Sequence, residues 1–222
     1  MTEHSHKPIV GITMGDPVGV GPELVCRALA SPELYRFCRP VVFGDAGVLA
    51  AAQKIAACGR EIAEIQDPEA ASCGPERINV LSISRLKPGE FRWAQPSSAT
   101  GQAMIDYITA GIDQALEGTI AALATGPINK TAMKMAGSPF HGHTELLAHR
   151  SSAAGYAMMM AGPRLRVVPA TIHVPIQKVP QLLDKDLLLS TLEIMDHGLK
   201  ERFGIRRPRI AVAGLNPHAG ES

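Results

Sequence analysis

Aromatic side chains are scarce in this sequence. Phenylalanine, tyrosine and tryptophan together make up 4% of 222 residues, and Trp93 is the only tryptophan. That leaves little from which to build a stacking surface for nucleic-acid bases. Charge of one sign is lacking as well: the formal net charge is +1, so there is no electrostatic reason to expect nucleic acid or an anionic membrane as partner. No uncharged apolar run reaches membrane-spanning length, and the polar start, Met1 to Lys7, does not read as a signal peptide. His4 and His6 fall in this start, which is expected to be a disordered tail. Cysteines are few and unpaired in spacing. Cys26, Cys38, Cys58 and Cys73 contain no Cys-x-x-Cys, so reduced structural thiols in a cytoplasmic protein are expected.

What is present is an ordinary globular balance, 45% apolar and 19% charged, in a chain long enough for one large domain or two small lobes. Pro8–Met14, Pro40–Asp45, Arg77–Ser82 and Thr119–Thr125 read as short apolar strands, the last of the type covered on both faces. Between them, residues 47–57 form an alanine-rich helix and residues 59–76 read as irregular. Pro88–Ser98 is a loop. Thr100–Leu116 is an amphipathic helix with Met104, Ile105, Ile108, Ile112 and Leu116 on one face. Strands alternating with helices predict an α/β protein with a mainly parallel sheet. Further on, Gly155–Ala161 and Leu165–Ile172 read as a hairpin around Gly162-Pro163. Asp184 caps a helix carrying Leu188, Leu192, Met195 and Leu199 on one face, and Arg209–Leu215 reads as a last, buried strand.

Chemistry is concentrated where strands end. Gly15-Asp-Pro-Val-Gly-Val-Gly-Pro-Glu23 turns from a strand into a helix, with Pro22 and Glu23 suited to its first turn. Two readings stand for its glycines: backbone held open for an anion, or a tight turn without ligand. The spacing is neither Gly-x-Gly-x-x-Gly nor a P-loop. Lys130, leaving Gly126-Pro-Ile-Asn129, meets either an anion or solvent. His173, after Val167–Ile172, and His218, after Arg209–Leu215 and Asn216-Pro217, are two strand-end histidines that suggest a shared metal. In Ser138-Pro-Phe-His-Gly-His-Thr-Glu145, His143 and Thr144 stand where a helix start presents side chains to a cleft. His141 is a weaker candidate, and His149 and His197 read as surface residues.

Five stretches, taken together and in order, resemble one family. Gly15–Glu23, Thr125-Gly-Pro-Ile-Asn-Lys130, Gly142-His-Thr-Glu-Leu-Leu-Ala148, Thr171-Ile-His-Val-Pro175 and Gly214-Leu-Asn-Pro-His-Ala-Gly-Glu221 are similar to motifs of the 4-hydroxythreonine-4-phosphate dehydrogenases of pyridoxal phosphate biosynthesis. The resemblance spans residues 8 to 221. It implies the two-lobed α/β fold of the isocitrate and isopropylmalate dehydrogenases, here incomplete, with residues 1–140 forming most of one lobe and residues 141–222 part of a second lobe bearing a dimer face.

The resemblance also implies an activity. NAD, or NADP, oxidises a secondary alcohol of a small phosphorylated hydroxy acid, and the β-keto acid formed loses carbon dioxide. In the family three histidines hold a divalent metal (zinc, magnesium, cobalt or manganese) at a homodimer interface. His173 and His218 match two of those ligands, whereas His143 and Thr144 match a substrate-contacting His-Thr pair. The third ligand belongs to a later Tyr-His-Asp-Gln motif that this sequence does not contain, so the chain resembles the first two-thirds of a member. No general base and no cofactor-contacting residue is assigned. Relatives acting on 4-phosphorylated threonate or erythronate, or on an aromatic cis-dihydrodiol, are the alternatives within the fold. From another class, the chain by itself is an inactive, weakly metal-binding fragment.

Overall fold

The computed structural model describes residues 7–87, 89, 91–140 and 142–221. His4, His6 and His141 therefore lie outside the described residues. The chain forms two compact units, one running to Ser152 and the other from Ala153.

The first unit is built on a five-stranded parallel sheet. In chain order the strands are β1 (Ile9–Thr13), β2 (Arg39–Gly44), β3 (Glu61–Ile65), β4 (Arg77–Ser82) and β5 (Ala122–Thr125), arranged β3-β4-β2-β1-β5. The two most apolar runs take the middle: Val41, Val42 and Phe43 of β2 are fully buried, and Gly11 of β1 pairs with Val41 on one side and Leu123 on the other. Such near-continuous apolar strands mark a parallel sheet covered on both faces. The crossover helices are α1 (Gly21–Leu29), α2 (Ala46–Ala56) and α3 (Ser98–Leu116), followed by α4 (Lys130–Met135) and α5 (His143–Arg150). Each start is locally specified. Pro22 sits in the first turn of α1, the Asp45 carboxylate accepts from the Val48 amide, and Ser97 and Thr100 form a reciprocal capping box.

Two expectations for this unit need correction. Residues 59–76 are not wholly irregular, because β3 pairs along its length with β4, from Glu61 opposite Arg77 to Ile65 opposite Leu81. It is an edge strand that carries charge on both faces, at Glu61 and Glu64, and Arg77 reaches Glu61 at 3.1 Å. β5 in turn is the other edge and is not covered on both faces: Ala122, Ala124 and Thr125 are exposed, while Leu123 packs toward α3.

The second unit carries a short antiparallel pair, β6 (Met160–Ala161) and β7 (Arg166–Val167), then α6 (Val179–Leu182) and α7 (Lys185–Glu201), capped by Asp184 through the Leu187 amide. The Arg166 guanidinium lies 4.7 Å from the Phe203 ring centre. Leu188, Leu192 and Met195 of α7 line a cavity of about 750 Å³ together with residues 165–171 and 210–215. Arg209–Leu215 is not the buried strand its composition predicts. It makes no ladder, and Ala211 to Leu215 are exposed. A strand exists only through a hydrogen-bonding neighbour, and among the described residues none lies beside this segment. No helix of the described residues is long and apolar enough to cross a membrane.

Candidate functional site

At the C-terminal edge of the parallel sheet, the loops leaving β1 and β5 interlock. The Asp16 amide donates to the Pro127 carbonyl at 2.9 Å, and the Gly126 amide donates to the Thr13 carbonyl at 2.9 Å and its hydroxyl at 3.2 Å. Gly15 takes φ of +78°, and a Cβ there would fall onto the Pro127 carbonyl oxygen. The glycine-rich turn is thus shaped by close approach to the protein's own backbone. Asp16 is buried, and its side chain accepts from the Val18 amide at 3.0 Å.

Beside it, the strand ends of β2 and β4 share a buried polar group that the sequence reading missed. The Asp45 carboxylate accepts from the Ser84 hydroxyl at 2.8 Å and the Leu86 amide at 2.7 Å, besides capping α2. With its proton given to Asp45, Ser84 accepts from the Tyr107 hydroxyl at 2.6 Å. Burial raises the Tyr107 phenol well above its ordinary range, so it stays protonated. An aspartate directly after a buried strand was the available signal, and it is equally the signal of a plain helix cap.

His143 and Thr144 open α5. The helix is anchored by Leu146, buried with Ile108 and Ile112, and by Arg150, whose guanidinium grips Asp113 at 2.7 and 2.8 Å. That hydrogen-bonded pair holds the Asp113 carboxyl below its usual value. Gly142 precedes the helix with extended backbone and no capping side chain. Nε2 of His143 is buried without a hydrogen-bond partner among the described residues, and burial lowers the imidazole's pKa below 6.5. His143 is therefore a neutral imidazole with one ring nitrogen left unsatisfied among the described residues.

The other two histidines belong to the second unit, and both are exposed. His173 sits in a loop with φ of +56°, a left-handed conformation that costs a non-glycine residue energy and that concentrates at functional sites. His218 lies in the turn Asn216–Glu221, closed by Ala219 and Glu221 amides donating to the Asn216 and His218 carbonyls. Its Nδ1 is 3.0 Å from Glu221 Oε2. A carboxylate on Nδ1 fixes the tautomer and leaves the Nε2 lone pair free, the support that metal-bound histidines commonly have. Imidazole nitrogens are the donor type that borderline divalent ions take, but no distance brings His173 and His218 together. Among the described residues, no cluster of three or more histidine, cysteine, aspartate or glutamate side chains comes together as a metal site.

Comparison with known proteins places these features. A family model described as pyridoxal phosphate biosynthetic protein PdxA matches residues 36–222. The chain belongs to this family. It is 50% identical over 216 residues to a 4-hydroxythreonine-4-phosphate dehydrogenase of Desulfosudis oleivorans, covering 97% of this chain and 63% of that protein. Similarity to a D-threonate 4-phosphate dehydrogenase of Cupriavidus necator is lower, 34% over 215 residues, covering 97% and 64%. Among solved structures, a 4-hydroxythreonine-4-phosphate dehydrogenase from Klebsiella pneumoniae superimposes with a TM-score of 0.89 at 37% identity, over 97% of this chain and 65% of that one. The chain thus spans a little under two-thirds of the length of the family members it matches.

Proposed function

We propose that the protein is a metal-dependent, NAD- or NADP-linked dehydrogenase that oxidises 4-phosphohydroxy-L-threonine and decarboxylates the product to 3-amino-2-oxopropyl phosphate, in the biosynthesis of pyridoxine and pyridoxal phosphate. The observation that carries this reading is the 50% identity over nearly the whole chain to a relative of that name, against 34% to the threonate enzyme. The reading includes the two-lobed fold of isocitrate and isopropylmalate dehydrogenases and a homodimer with the metal at its interface. A cytoplasmic setting accords with four free cysteines.

In this mechanism His173 and His218 contribute imidazole nitrogens to the metal, with Glu221 holding the His218 ring in its metal-binding tautomer. A divalent ion held there would supply Lewis acidity for oxidation of the alcohol, and a bound nicotinamide nucleotide would supply the oxidant. His143, kept neutral by burial, presents Nε2 to a substrate hydroxyl or carboxylate, and the Thr144 hydroxyl supplies a second contact. Two contacts from one anchored helix turn orient the substrate, and orientation is where such a site gains rate.

The test is an assay of the complete gene product with 4-phosphohydroxy-L-threonine, NAD or NADP and a series of divalent ions, run beside 4-phospho-D-threonate. Reduced nucleotide should form preferentially with the first substrate and vanish with a chelator. No reduced nucleotide under any ion would sink the assignment, and preference for the threonate would move the protein to the sugar-acid branch. The same assay on the 222-residue chain separates enzyme from inactive fragment.

A further inference from the structure

We propose that Lys130 is a further substrate-positioning residue, whose ammonium takes an oxyanion of the substrate, its phosphate or its carboxylate, bound against His143 and Thr144. The inference rests on the assignment of His143 and Thr144 to the substrate made above.

Lys130 is launched from a firmly held piece of backbone. The Gly126–Asn129 loop is tied to β1 by the hydrogen bonds of Gly126 and Pro127, and the Asn129 amide donates to Met104 Sδ at 3.3 Å. The Asn129 side chain accepts from the Ala132 amide at 3.0 Å and so fixes the start of α4, while Ala132 and Met133 are buried beneath it. From there the lysine side chain runs to the start of α5. Its Cε stands 3.9 Å from the point that a Cβ on Gly142 would occupy. The ammonium is therefore delivered beside the residue that immediately precedes His143, over a position with no side chain of its own to fill the space.

Nothing neutralises it there. Lys130 is exposed and, among the described residues, makes no hydrogen bond or ion pair, so its ammonium is free to meet an anion. His143, the residue after Gly142, carries a buried Nε2 also without a partner among the described residues, which leaves its desolvation uncompensated. One small molecule that is anionic at one end and hydroxylated beside it satisfies both groups at once. A phosphorylated hydroxy acid has that form. A lysine suits the anion because it acts as a point charge on a flexible stem and imposes no fixed geometry on the ligand.

The experiment uses the complete gene product with Lys130→Met and Lys130→Arg, and Lys134→Met, an exposed lysine on the same short helix, as control. Losing a charged hydrogen bond to substrate should raise KM about tenfold or more in Lys130→Met, with kcat changed no more than about threefold. Lys130→Arg should recover most of the loss, and Lys134→Met should match the wild type. Melting temperatures should stay together, since the ammonium makes no hydrogen bond or ion pair among the described residues. Inorganic phosphate separates the sources: its competitive inhibition weakens in Lys130→Met if the phosphate is bound here. If the carboxylate is bound, phosphate inhibition persists and KM rises equally for the unphosphorylated analogue. An unchanged KM in Lys130→Met, with the wild type active, overturns the inference and leaves the proposed function standing. If the wild type turns over nothing, calorimetric titration of inorganic phosphate and of malate decides the matter alone. Weaker binding of either anion by Lys130→Met supports the lysine site, and equal binding of both overturns it.

Discussion

Replacing Gly15 by alanine tests whether the interlocked loops hold the site together. Two costs follow from the structure. At φ of +78° an L-residue is in left-handed backbone, a penalty of about 1–2 kcal/mol. The new methyl also falls onto the Pro127 carbonyl, which must then withdraw from the buried Asp16 amide that donates to it. Stranding that amide costs about 1–3 kcal/mol. The sum, about 2–5 kcal/mol, lowers the melting temperature of a unit of this size by about 5–15 °C. Gly118 supplies the control: its φ is +79° and nothing lies within 4 Å of a Cβ there, so Gly118→Ala carries the strain without the collision. It should lose only about 3–6 °C. Calorimetric melting of the two variants and the wild type is the assay. If Gly15→Ala melts no lower than Gly118→Ala, the contact with Pro127 is not holding the loops and the reasoning fails. A functional consequence accompanies it, since the displaced Gly126–Asn129 loop carries Lys130, and KM should rise with the loss of stability.

The remaining predictions concern other parts of the same framework. Asp45→Ala removes a helix cap and the acceptor of the Leu86 amide and Ser84 hydroxyl, and should cost about 3–5 kcal/mol in urea unfolding. Asp45→Asn, which keeps one acceptor oxygen, should lose less, and equal losses would argue against the network. His143 has its pKa lowered by burial, so the unfolded chain binds the proton more readily. Its contribution to stability is present above the unfolded value of 6.5 and is lost as pH falls toward the folded one; His143→Gln should flatten that part of the pH–stability profile, and an unchanged slope counts against it. In hydrogen exchange followed by mass spectrometry, the amides of Ile210–Leu215 should exchange far faster than those of β1, because no backbone bond protects them among the described residues. Slow exchange there in the 222-residue chain would contradict the described conformation.

How much of this was legible in the sequence differs between elements for a physical reason. β1, β2, β4 and α3 were readable because their apolar runs and period are facts about single segments. β3 was not: in Glu61-Ile-Ala-Glu-Ile65 the two glutamates lie three apart, on opposite faces, so no apolar/polar alternation marks it, and only pairing with Arg77–Leu81 shows it to be an edge strand. The reverse error occurred at Arg209–Leu215, whose composition is strand-like although a ladder depends on a neighbour. β5 was placed correctly, but its burial was misjudged because coverage of a face is decided by other segments. The candidate residues follow the same division. His143, Thr144, His173 and His218 stood out through their loops, whereas the orphan Nε2 of His143, the left-handed backbone of His173 and the Glu221 contact to His218 exist only in three dimensions. Lys130 was an ambiguous cation until its stem was found alongside Gly142.

These observations describe two kinds of support for the candidate chemistry. In the first unit, the groups proposed to face substrate are fixed by the fold itself: α5 is clamped by Leu146 and by Arg150 on Asp113, and the loop bearing Lys130 is locked to β1. Pre-positioned groups of this sort need little reorganisation when substrate arrives, and that is what orientation requires. In the second unit, His173 and His218 follow segments that line an apolar cavity; residues 166–167 pair with β6, whereas residues 210–215 have no backbone partner among the described residues. Ligand geometry there depends on whatever comes to pack against residues 165–171 and 210–215. Any binding that orders those segments stabilises the metal-competent arrangement by the differential affinity it shows for it. On the proposed function, metal affinity is therefore expected to be coupled to the ordering of the second unit, and substrate positioning to the packing of the first.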